Sequence, residues 1–190
     1  MRCFIAIDIG EELRKSLRRF QEELAEGAGV GNKGVKWVNP DNIHLTLKFL
    51  GEVAGSSTVE VCKIVEQAAQ RHDSFELCID RVGYFTAGNP RVLWVGAADS
   101  GPLSRLQQDI ESQLAQAGWP TENRQFSAHL TICRIKNRKA GHKLVELLDR
   151  YKDFTAGTIQ VSNLVVYQSQ LRQKGPVYTA LGNYKFQGVF

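Results

Sequence analysis

Hydrophobic residues recur along the chain with two spacings, one typical of helices and the other typical of strands. Intervals of three and four residues, which place side chains on one helical face, predict helices around residues 13–24, 58–71, 103–114 and 142–151. Short β-branched or alternating segments predict strands over residues 2–9, 35–38, 43–49, 75–82, 91–97, 128–133, 158–166 and 177–186. A turn is expected at 87–90, and residues 174–176 are expected to lie between the last two strands. Helices and strands mix, with hairpins as well as crossovers, so the pattern predicts an α+β fold.

One predicted strand, residues 43–49, has two chemically different faces. Leu45 and Leu47 point to one side of the strand, whereas His44, Thr46 and Lys48 point to the other. The leucines are expected to anchor the strand in the core, so the polar face is expected to border a cleft.

Composition excludes several classes of protein. The 190 residues, 43% of them hydrophobic, suit one compact domain, and a net charge of +4 is compatible with an anionic ligand. No run of about 18 apolar residues lacks charge, so no membrane span is expected. The four cysteines form no CxxC pair, and Asp8 interrupts the first apolar segment too early for a secretory leader. We therefore expect a cytoplasmic protein with reduced thiols.

A tetrapeptide occurs twice in the chain. His44-Leu45-Thr46-Leu47 returns 85 residues later as His129-Leu130-Thr131-Ile132. Residues two apart in a strand share a face, so each copy places an imidazole and a hydroxyl side by side, about 7 Å apart along the backbone. If the two halves of the chain pack with approximate two-fold symmetry, both faces line a single cleft.

Two opposed imidazoles suit in-line displacement at phosphorus. One takes a proton from the attacking oxygen and the other gives a proton to the departing oxygen, which the imidazole pKa allows near neutral pH. Thr46 and Thr131 then donate hydrogen bonds to the non-bridging oxygens, which stabilises charge without a metal. Metal binding by His44 and His129 is disfavoured, because no HxH, HxxxH or HExxH spacing is present.

These residues resemble the two signatures of the two-histidine phosphoesterase superfamily, and within it the RNA 2′,3′-cyclic phosphodiesterases, historically called 2′-5′ RNA ligases. Residues 38–53 are similar to the family's first motif block and residues 124–134 to its second, although Ala128 stands where the family often has proline. The resemblance implies one bilobed α+β domain over residues 1–190, with antiparallel sheets flanking a central groove. It also implies metal-independent hydrolysis of an RNA-terminal 2′,3′-cyclic phosphate, or of a cyclic nucleotide, to a 2′-phosphate without any cofactor.

The resemblance further assigns roles to single residues. It makes His44 the proton donor and His129 the proton acceptor, with Thr46 and Thr131 as phosphate ligands; the sequence alone does not decide which histidine is which. Lys48 is a weaker candidate phosphate ligand, because it shares the face of His44. Arg134 is another, although an ideal strand points it away from His129 and only a strand end or bulge brings it back.

Basic and aromatic residues supply candidate RNA contacts. The basic residues Arg134, Lys136, Arg138, Lys139 and Lys143 follow the second motif, and the candidate base platforms are Phe4, Trp37, Tyr84, Phe85, Trp94 and Phe126.

Three other functions remain open at this stage. One is 2′-5′ RNA ligation, in which the same histidines run the reaction backwards. The others are an RNA-binding module without catalysis and a phosphodiesterase for small cyclic nucleotides. We expect a monomer in each case.

Overall fold

A computed structural model describes residues 1–31, 33–98, 101–173 and 175–187. It contains four α-helices, α1 (Gly10–Ala28), α2 (Thr58–Gln70), α3 (Pro102–Gln116) and α4 (Arg138–Leu148). Its strands are β1 (Arg2–Asp8), β2 (Val35–Trp37), β3 (His44–Glu52), β4 (Phe75–Phe85), β5 (Val92–Ala97), β6 (His129–Ile135), β7 (Thr155–Val161), β8 (Asn163–Arg172) and β9 (Gly175–Lys185). None of the helices in these residues combines the length and the apolar character needed to cross a bilayer.

The strands form two antiparallel sheets. The order is β3-β1-β8-β9 in the four-stranded sheet and β2-β6-β5-β4-β7 in the five-stranded sheet. The predicted α+β, two-lobed architecture is therefore confirmed. The lobes are not the two halves of the chain, however, because each sheet combines strands from both halves.

The apolar faces predicted from the three- and four-residue spacing are the faces that the helices bury. In α1 the residues Leu13, Leu17, Phe20 and Leu24 are buried, and in α3 Leu103, Leu106, Ile110 and Leu114 are buried. These residues join side chains of both sheets in one continuous core. Helix α1 ends where Gly29 adopts a left-handed conformation, with φ of 57°, that closes the last turn.

Several predicted boundaries differ from the structure. The single strand expected over residues 158–166 is two strands, β7 and β8, which belong to different sheets and separate at Ser162. Helix α4 begins before His142, because the Asn137 side chain accepts a hydrogen bond from Ala140 N at 2.9 Å and caps the helix. Of the three residues expected between the last two strands, Lys174 lies outside the described residues, and Gly175 and Pro176 already belong to β9.

The four cysteines are free thiols, as predicted. Cys3 and Cys133 are buried, whereas Cys62 and Cys78 are partly exposed. Burial raises the pKa of Cys133 to about 12, so this thiol stays protonated at neutral pH and acts as an apolar core residue.

Candidate active site

The two repeated tetrapeptides begin equivalent strands in the two sheets. His44 is the first residue of β3 and His129 the first residue of β6. In each strand the histidine and threonine are partly exposed, and the residues that follow each of them are buried. The predicted two-faced strand is therefore present twice, with the imidazole and the hydroxyl on the same side.

Both imidazoles are fixed by the same backbone contact. His44 Nδ1 lies 2.8 Å from the carbonyl oxygen of Asn42, and His129 Nδ1 lies 2.7 Å from that of Ser127. A carbonyl oxygen only accepts hydrogen bonds, so Nδ1 carries the hydrogen in both rings. Each Nε2 is then an acceptor in the neutral ring and a donor in the protonated ring. Nε2 is thus the atom that each histidine offers for proton transfer.

Hydrogen bonds hold the two motifs close together. Val38 N donates to the carbonyl oxygen of Ile132, at 3.0 Å, and His44 follows Val38 by only six residues. From α1, Gln21 Nε2 donates to the same Ile132 oxygen at 2.9 Å and to the Val38 oxygen at 2.8 Å. Gln21 is buried, so this amide forms an internal tie between the strand of the second motif and the chain that leads into the first.

A β-bulge interrupts each motif strand directly after the threonine. On β1, Ala6 lies opposite Thr46 and Ile5 lies opposite Lys48, so Leu47 is an extra residue. On β5, Trp94 lies opposite Thr131 and Leu93 opposite Cys133, so Ile132 is extra in the same way. An extra residue reverses the alternation of faces from that point onward.

The bulge in β3 turns Lys48 away from the cleft, so the prediction that it shares a face with His44 and Thr46 is wrong. Its side chain is 3% exposed, and Nζ lies 2.8 Å from Glu111 Oε1 and 2.8 Å from the carbonyl oxygen of Pro120. Lys48 therefore links β3 to α3 and to the chain that follows α3. The residue that takes its place on the cleft face is Phe49, which is 64% exposed.

The bulge in β6 places Arg134 on the same side of the strand as His129 and Thr131. In an ideal strand, without the extra residue, Arg134 would point to the opposite side. Arg134 is exposed and lies near Tyr178 of β9. Burial raises the pKa of Tyr178, and the positive charge of Arg134 opposes this rise. The ring of Tyr178 lies 5.3 Å from that of His44. The charge of Arg134 thus acts on a tyrosine whose ring contacts the histidine of the first motif.

His44 lies in an aromatic setting beside one carboxylate. Its ring stacks on Phe4 at a centroid distance of 4.6 Å. Asp8 lies directly opposite His44 on β1. Asp8 accepts hydrogen bonds from Gly10 N at 2.8 Å and from Arg14 at 2.6 Å, and the Tyr167 hydroxyl also bonds to it. Asp8 is therefore an anchored negative charge next to the first histidine.

Opposing effects act on the pKa of His44. Burial lowers this pKa, and the charge of Arg14 lowers it further. The hydrogen bond to the Asn42 carbonyl and the charge of Asp8 raise it, but burial outweighs them. In the free protein the His44 ring is therefore shifted toward its neutral form.

His129 has different neighbours. The ring of Phe85 meets it edge-on at 4.9 Å, and Phe85 in turn contacts Trp94 at 5.7 Å. The residue directly opposite His129 on β5 is Gly96, which carries no side chain. A cavity of about 230 Å³ lies here, bordered by Gly96, Trp94 and residues 126–128.

Several residues of the cleft were not predicted from the sequence. In the sequence Asp8 only interrupts the first apolar segment, and Tyr167 and Tyr178 lie far along the chain from His44. Strand pairing brings them to His44, which local spacing does not reveal.

Among the candidate platforms for a nucleobase, Phe4 is buried beneath His44, and Phe85, Trp94 and Phe126 lie on the His129 side. Trp37 packs against the core, and Tyr84 is exposed.

Two further features bear on ligand binding. The basic residues after the second motif are exposed, and Arg138 Nε lies 3.2 Å from His142 Nε2. Within the described residues, no three His, Cys, Asp or Glu side chains group as metal ligands.

Comparison with known proteins identifies the family of this chain. The model of the 2′-5′ RNA ligase superfamily matches residues 9–172. The chain belongs to this superfamily. Among its relatives, a protein of Archaeoglobus fulgidus named RNA 2′,3′-cyclic phosphodiesterase is 32% identical over 183 residues, which are 95% of this chain and 98% of that protein. A protein of Thermotoga maritima with the same name is 33% identical, covering 99% of this chain and 97% of that one.

Solved structures of other proteins share the fold. The crystal structure of TT0787 of Thermus thermophilus superposes with a TM-score of 0.83 at 27% identity, over 99% of each chain. The structure of Escherichia coli LigT complexed with 3′-AMP superposes with a TM-score of 0.76 at 25% identity, over 98% of each chain. The predicted family resemblance is thereby confirmed.

Proposed function

We propose that the chain hydrolyses RNA-terminal 2′,3′-cyclic phosphate to a 2′-phosphate, by acid–base catalysis with His44 and His129 and without a metal. The observation that carries the proposal is the matched anchoring of the two rings. Each donates Nδ1–H to a backbone carbonyl and keeps Nε2 for proton transfer. Hydrogen bonds of Val38 and Gln21 tie the second motif strand to the chain that leads into the first. The names of the relatives support the substrate.

The proposed step is an in-line displacement. His129 Nε2 takes a proton from water as the water oxygen bonds to phosphorus. On the opposite side the bond from phosphorus to O3′ breaks, and His44 Nε2 gives its proton to O3′. The product keeps the phosphate on O2′, and the two rings end with their protonation states exchanged. A proton transfer of this kind contributes typically 10²- to 10⁴-fold in rate at each ring.

Thr46 and Thr131 are proposed to bind the phosphate. Each hydroxyl stands on the same face as its histidine, on the cleft side of the strand. Hydroxyl groups held in place before the reaction stabilise the charge that develops on the non-bridging oxygens. Arg134 is proposed to add a positive charge on the same side. Since one chain supplies the two histidines, the two threonines and Arg134, the proposed reaction requires no second copy.

The asymmetry of the two sites supports the assignment of His44 as the donor. Asp8 faces His44, whereas Gly96 occupies the equivalent place opposite His129. The Asp8 charge raises the pKa of His44 and favours the protonated ring that a donor needs. Burial has the larger effect and lowers that pKa, so the assignment requires the negative charge of the bound phosphate to restore the protonated form.

The decisive experiment uses an RNA that ends in a 2′,3′-cyclic phosphate and identifies the oxygen that keeps the phosphate. We expect a 2′-phosphate, formed equally well after treatment with EDTA. His44→Gln and His129→Gln are each expected to lose at least about 10²-fold in kcat while retaining affinity for the RNA. A wild-type protein that binds the RNA but never turns it over would instead be the RNA-binding module.

The same assay separates RNA ends from small cyclic nucleotides as substrates. We expect a higher kcat/KM for the oligonucleotide than for the mononucleotide, because the exposed basic residues after β6 attract the RNA backbone. That advantage is expected to shrink as salt rises. Equal efficiency on both substrates would favour a phosphodiesterase for small cyclic nucleotides.

A further inference from the structure

Two positively charged side chains stand face to face beside the second motif. Lys36 of β2 lies directly opposite Arg134 of β6. Residues directly opposite in an antiparallel pair share a face of the sheet. Because the bulge in β6 puts Arg134 on the same side of that strand as His129 and Thr131, Lys36 also lies on this side. Both Lys36 and Arg134 are exposed.

No acidic side chain within the described ranges neutralises either charge. Lys36 and Arg134 form neither an ion pair nor a hydrogen bond there, whereas other cations of this protein, such as Lys48 and Arg14, are paired with carboxylates. Like charges directly opposite each other destabilise a pair of strands. A local arrangement that costs stability is expected at functional sites, where a ligand offsets the cost. The missing partner of these two cations is therefore an anion from outside the chain.

The strand register places the Lys36–Arg134 pair next to the proposed phosphate site. On β5, the partners of Thr131 and Arg134 are only two residues apart. Arg134 therefore stands two strand positions from Thr131, about 7 Å along the sheet. Lys36 lies on the neighbouring strand, about 5 Å to the side of Arg134. These separations are comparable with the distance between neighbouring phosphates in a nucleic acid strand.

The chemistry of the two side chains fits a phosphate group. A guanidinium matches phosphate oxygens with two parallel hydrogen bonds, and an ammonium adds a compact positive charge. In an RNA that ends in a 2′,3′-cyclic phosphate, the anion nearest to the reacting phosphate is the phosphodiester on the 5′ side of the terminal nucleoside. A nucleoside 2′,3′-cyclic phosphate with a free 5′-hydroxyl has no such anion. The pair can therefore distinguish these two kinds of substrate.

We propose that Lys36, together with Arg134, binds the phosphodiester on the 5′ side of the terminal nucleoside and so determines a preference for RNA ends over cyclic nucleotides. Lys36 does not touch the reacting atoms, so it is a specificity-determining residue. The bound phosphodiester also places a negative charge between the two cations and offsets their repulsion. This inference rests on the proposed function, because it takes the reacting phosphate to lie at Thr131.

The test compares two dinucleotides that differ in a single charge. Both end in a 2′,3′-cyclic phosphate, but one has a natural phosphodiester between its nucleosides and the other has a neutral methylphosphonate, each diastereomer of which is measured separately. The quantity recorded is the charge ratio, defined as kcat/KM for the charged dinucleotide divided by kcat/KM for the neutral one. Both substrates use the same histidines and threonines, so a change at the reacting phosphate cancels in this ratio.

We expect a charge ratio of about tenfold for the wild-type protein, because two cations face this phosphodiester and one exposed ion contact contributes up to about fivefold in affinity. Lys36→Met should lower the ratio at least about threefold, and Lys36→Arg, which keeps the charge, should retain most of it. Lys63→Met removes an exposed lysine from α2 and is the matched control, which should keep the wild-type ratio. Rising salt should lower the wild-type ratio more than that of Lys36→Met.

Urea unfolding separates this binding role from a structural role of Lys36. Removal of the repulsion between Lys36 and Arg134 should leave the urea midpoint of Lys36→Met equal to that of the wild-type protein or higher. Lys36→Glu places an opposite charge across from Arg134, so its midpoint should exceed that of Lys36→Met. Its charge ratio should nevertheless be lower still, because the new carboxylate repels the phosphodiester. A residue that stabilises the fold would show the reverse, with a lower midpoint in both variants.

Three results would overturn the inference. One is a wild-type charge ratio near one, and another is a ratio that Lys36→Met and Lys36→Glu both leave unchanged, as expected for a solvated lysine. The third is a ratio that falls only together with the urea midpoint of both variants, or as much in Lys63→Met. In each of these cases the dinucleotides are still hydrolysed, so the proposed function stands. If neither dinucleotide is hydrolysed, the proposed function itself fails, and this inference fails with it.

Discussion

The buried ion pair between Lys48 and Glu111 allows a test of where this lysine acts. Lys48 is 3% exposed and Glu111 18% exposed, and their charged atoms are 2.8 Å apart. We expect Lys48→Met to destabilise the protein strongly, because it leaves the Glu111 carboxylate buried beside an apolar side chain. The Pro120 carbonyl also loses its donor.

The size of the expected loss in the free energy of unfolding follows from the burial of the Lys48–Glu111 pair. Removing one partner of a buried pair costs about 3–5 kcal/mol, whereas an exposed pair contributes about 0.2–1 kcal/mol. Glu111 keeps some contact with solvent and accepts a second hydrogen bond from Glu122 N, at 2.7 Å. We therefore expect a loss of about 3 kcal/mol in the free energy of unfolding. That loss corresponds to a fall of roughly 1–3 M in the urea midpoint.

Urea unfolding followed by circular dichroism measures this loss, with two further variants as references. Lys63→Met removes an exposed lysine from α2 and should change the free energy of unfolding by less than about 0.5 kcal/mol. Adding Glu111→Gln to Lys48→Met removes the uncompensated charge and should recover most of the loss. A Lys48→Met protein of wild-type stability that has lost turnover about 10²-fold would refute this reasoning and make Lys48 a phosphate ligand.

Three further predictions concern the proposed catalytic groups. The pH dependence of kcat should be bell-shaped, with the donor His44 setting the alkaline limb, because kcat reports the complex in which the bound phosphate keeps that ring protonated; a flat profile between pH 5 and 8 would exclude imidazole catalysis. Asp8→Asn removes a charge that raises the pKa of His44, so the alkaline limb should move to lower pH while the acid limb stays in place; an alkaline limb that does not move would show that Asp8 does not act on the donor. Thr46→Val and Thr131→Val should each lower kcat, by about 10²- to 10³-fold if each hydroxyl acts as an oxyanion donor, with Thr→Ser retaining most of the rate; equal losses in the serine variants would indicate a packing role for these threonines.

The repeated tetrapeptides and the helical spacing of apolar residues were sufficient to predict which faces of the main elements are buried and which groups are the candidate catalysts. The alternation of apolar and polar residues in the motif strands follows from a backbone geometry that repeats every two residues, so local sequence determines which face is buried. The same holds for α1 and α3, whose leucines recur at the helical period. The pairing of histidine with threonine two positions later, present twice, was enough to identify the candidate acid–base pair.

Strand register, by contrast, decided the positions that local spacing predicted wrongly or left open. A bulge exists only relative to the neighbouring strand, so the extra residues Leu47 and Ile132 have no signature in their own segments. These two bulges turn Lys48 into the protein interior and bring Arg134 toward the cleft. Local alternation predicted the opposite face for Lys48 and, in an ideal strand, for Arg134.

What the sequence by itself determined is the set of chemical groups and their local faces: two imidazoles, two hydroxyls and the leucines behind them. Only the tertiary structure decided what surrounds each imidazole. Asp8, Tyr167 and Tyr178 reach His44 through strand pairing across the chain, and Gly96 leaves the cavity beside His129 in the same way. The physical reason is that pairing between distant strands, unlike alternation within one strand, depends on which segments the whole core brings together.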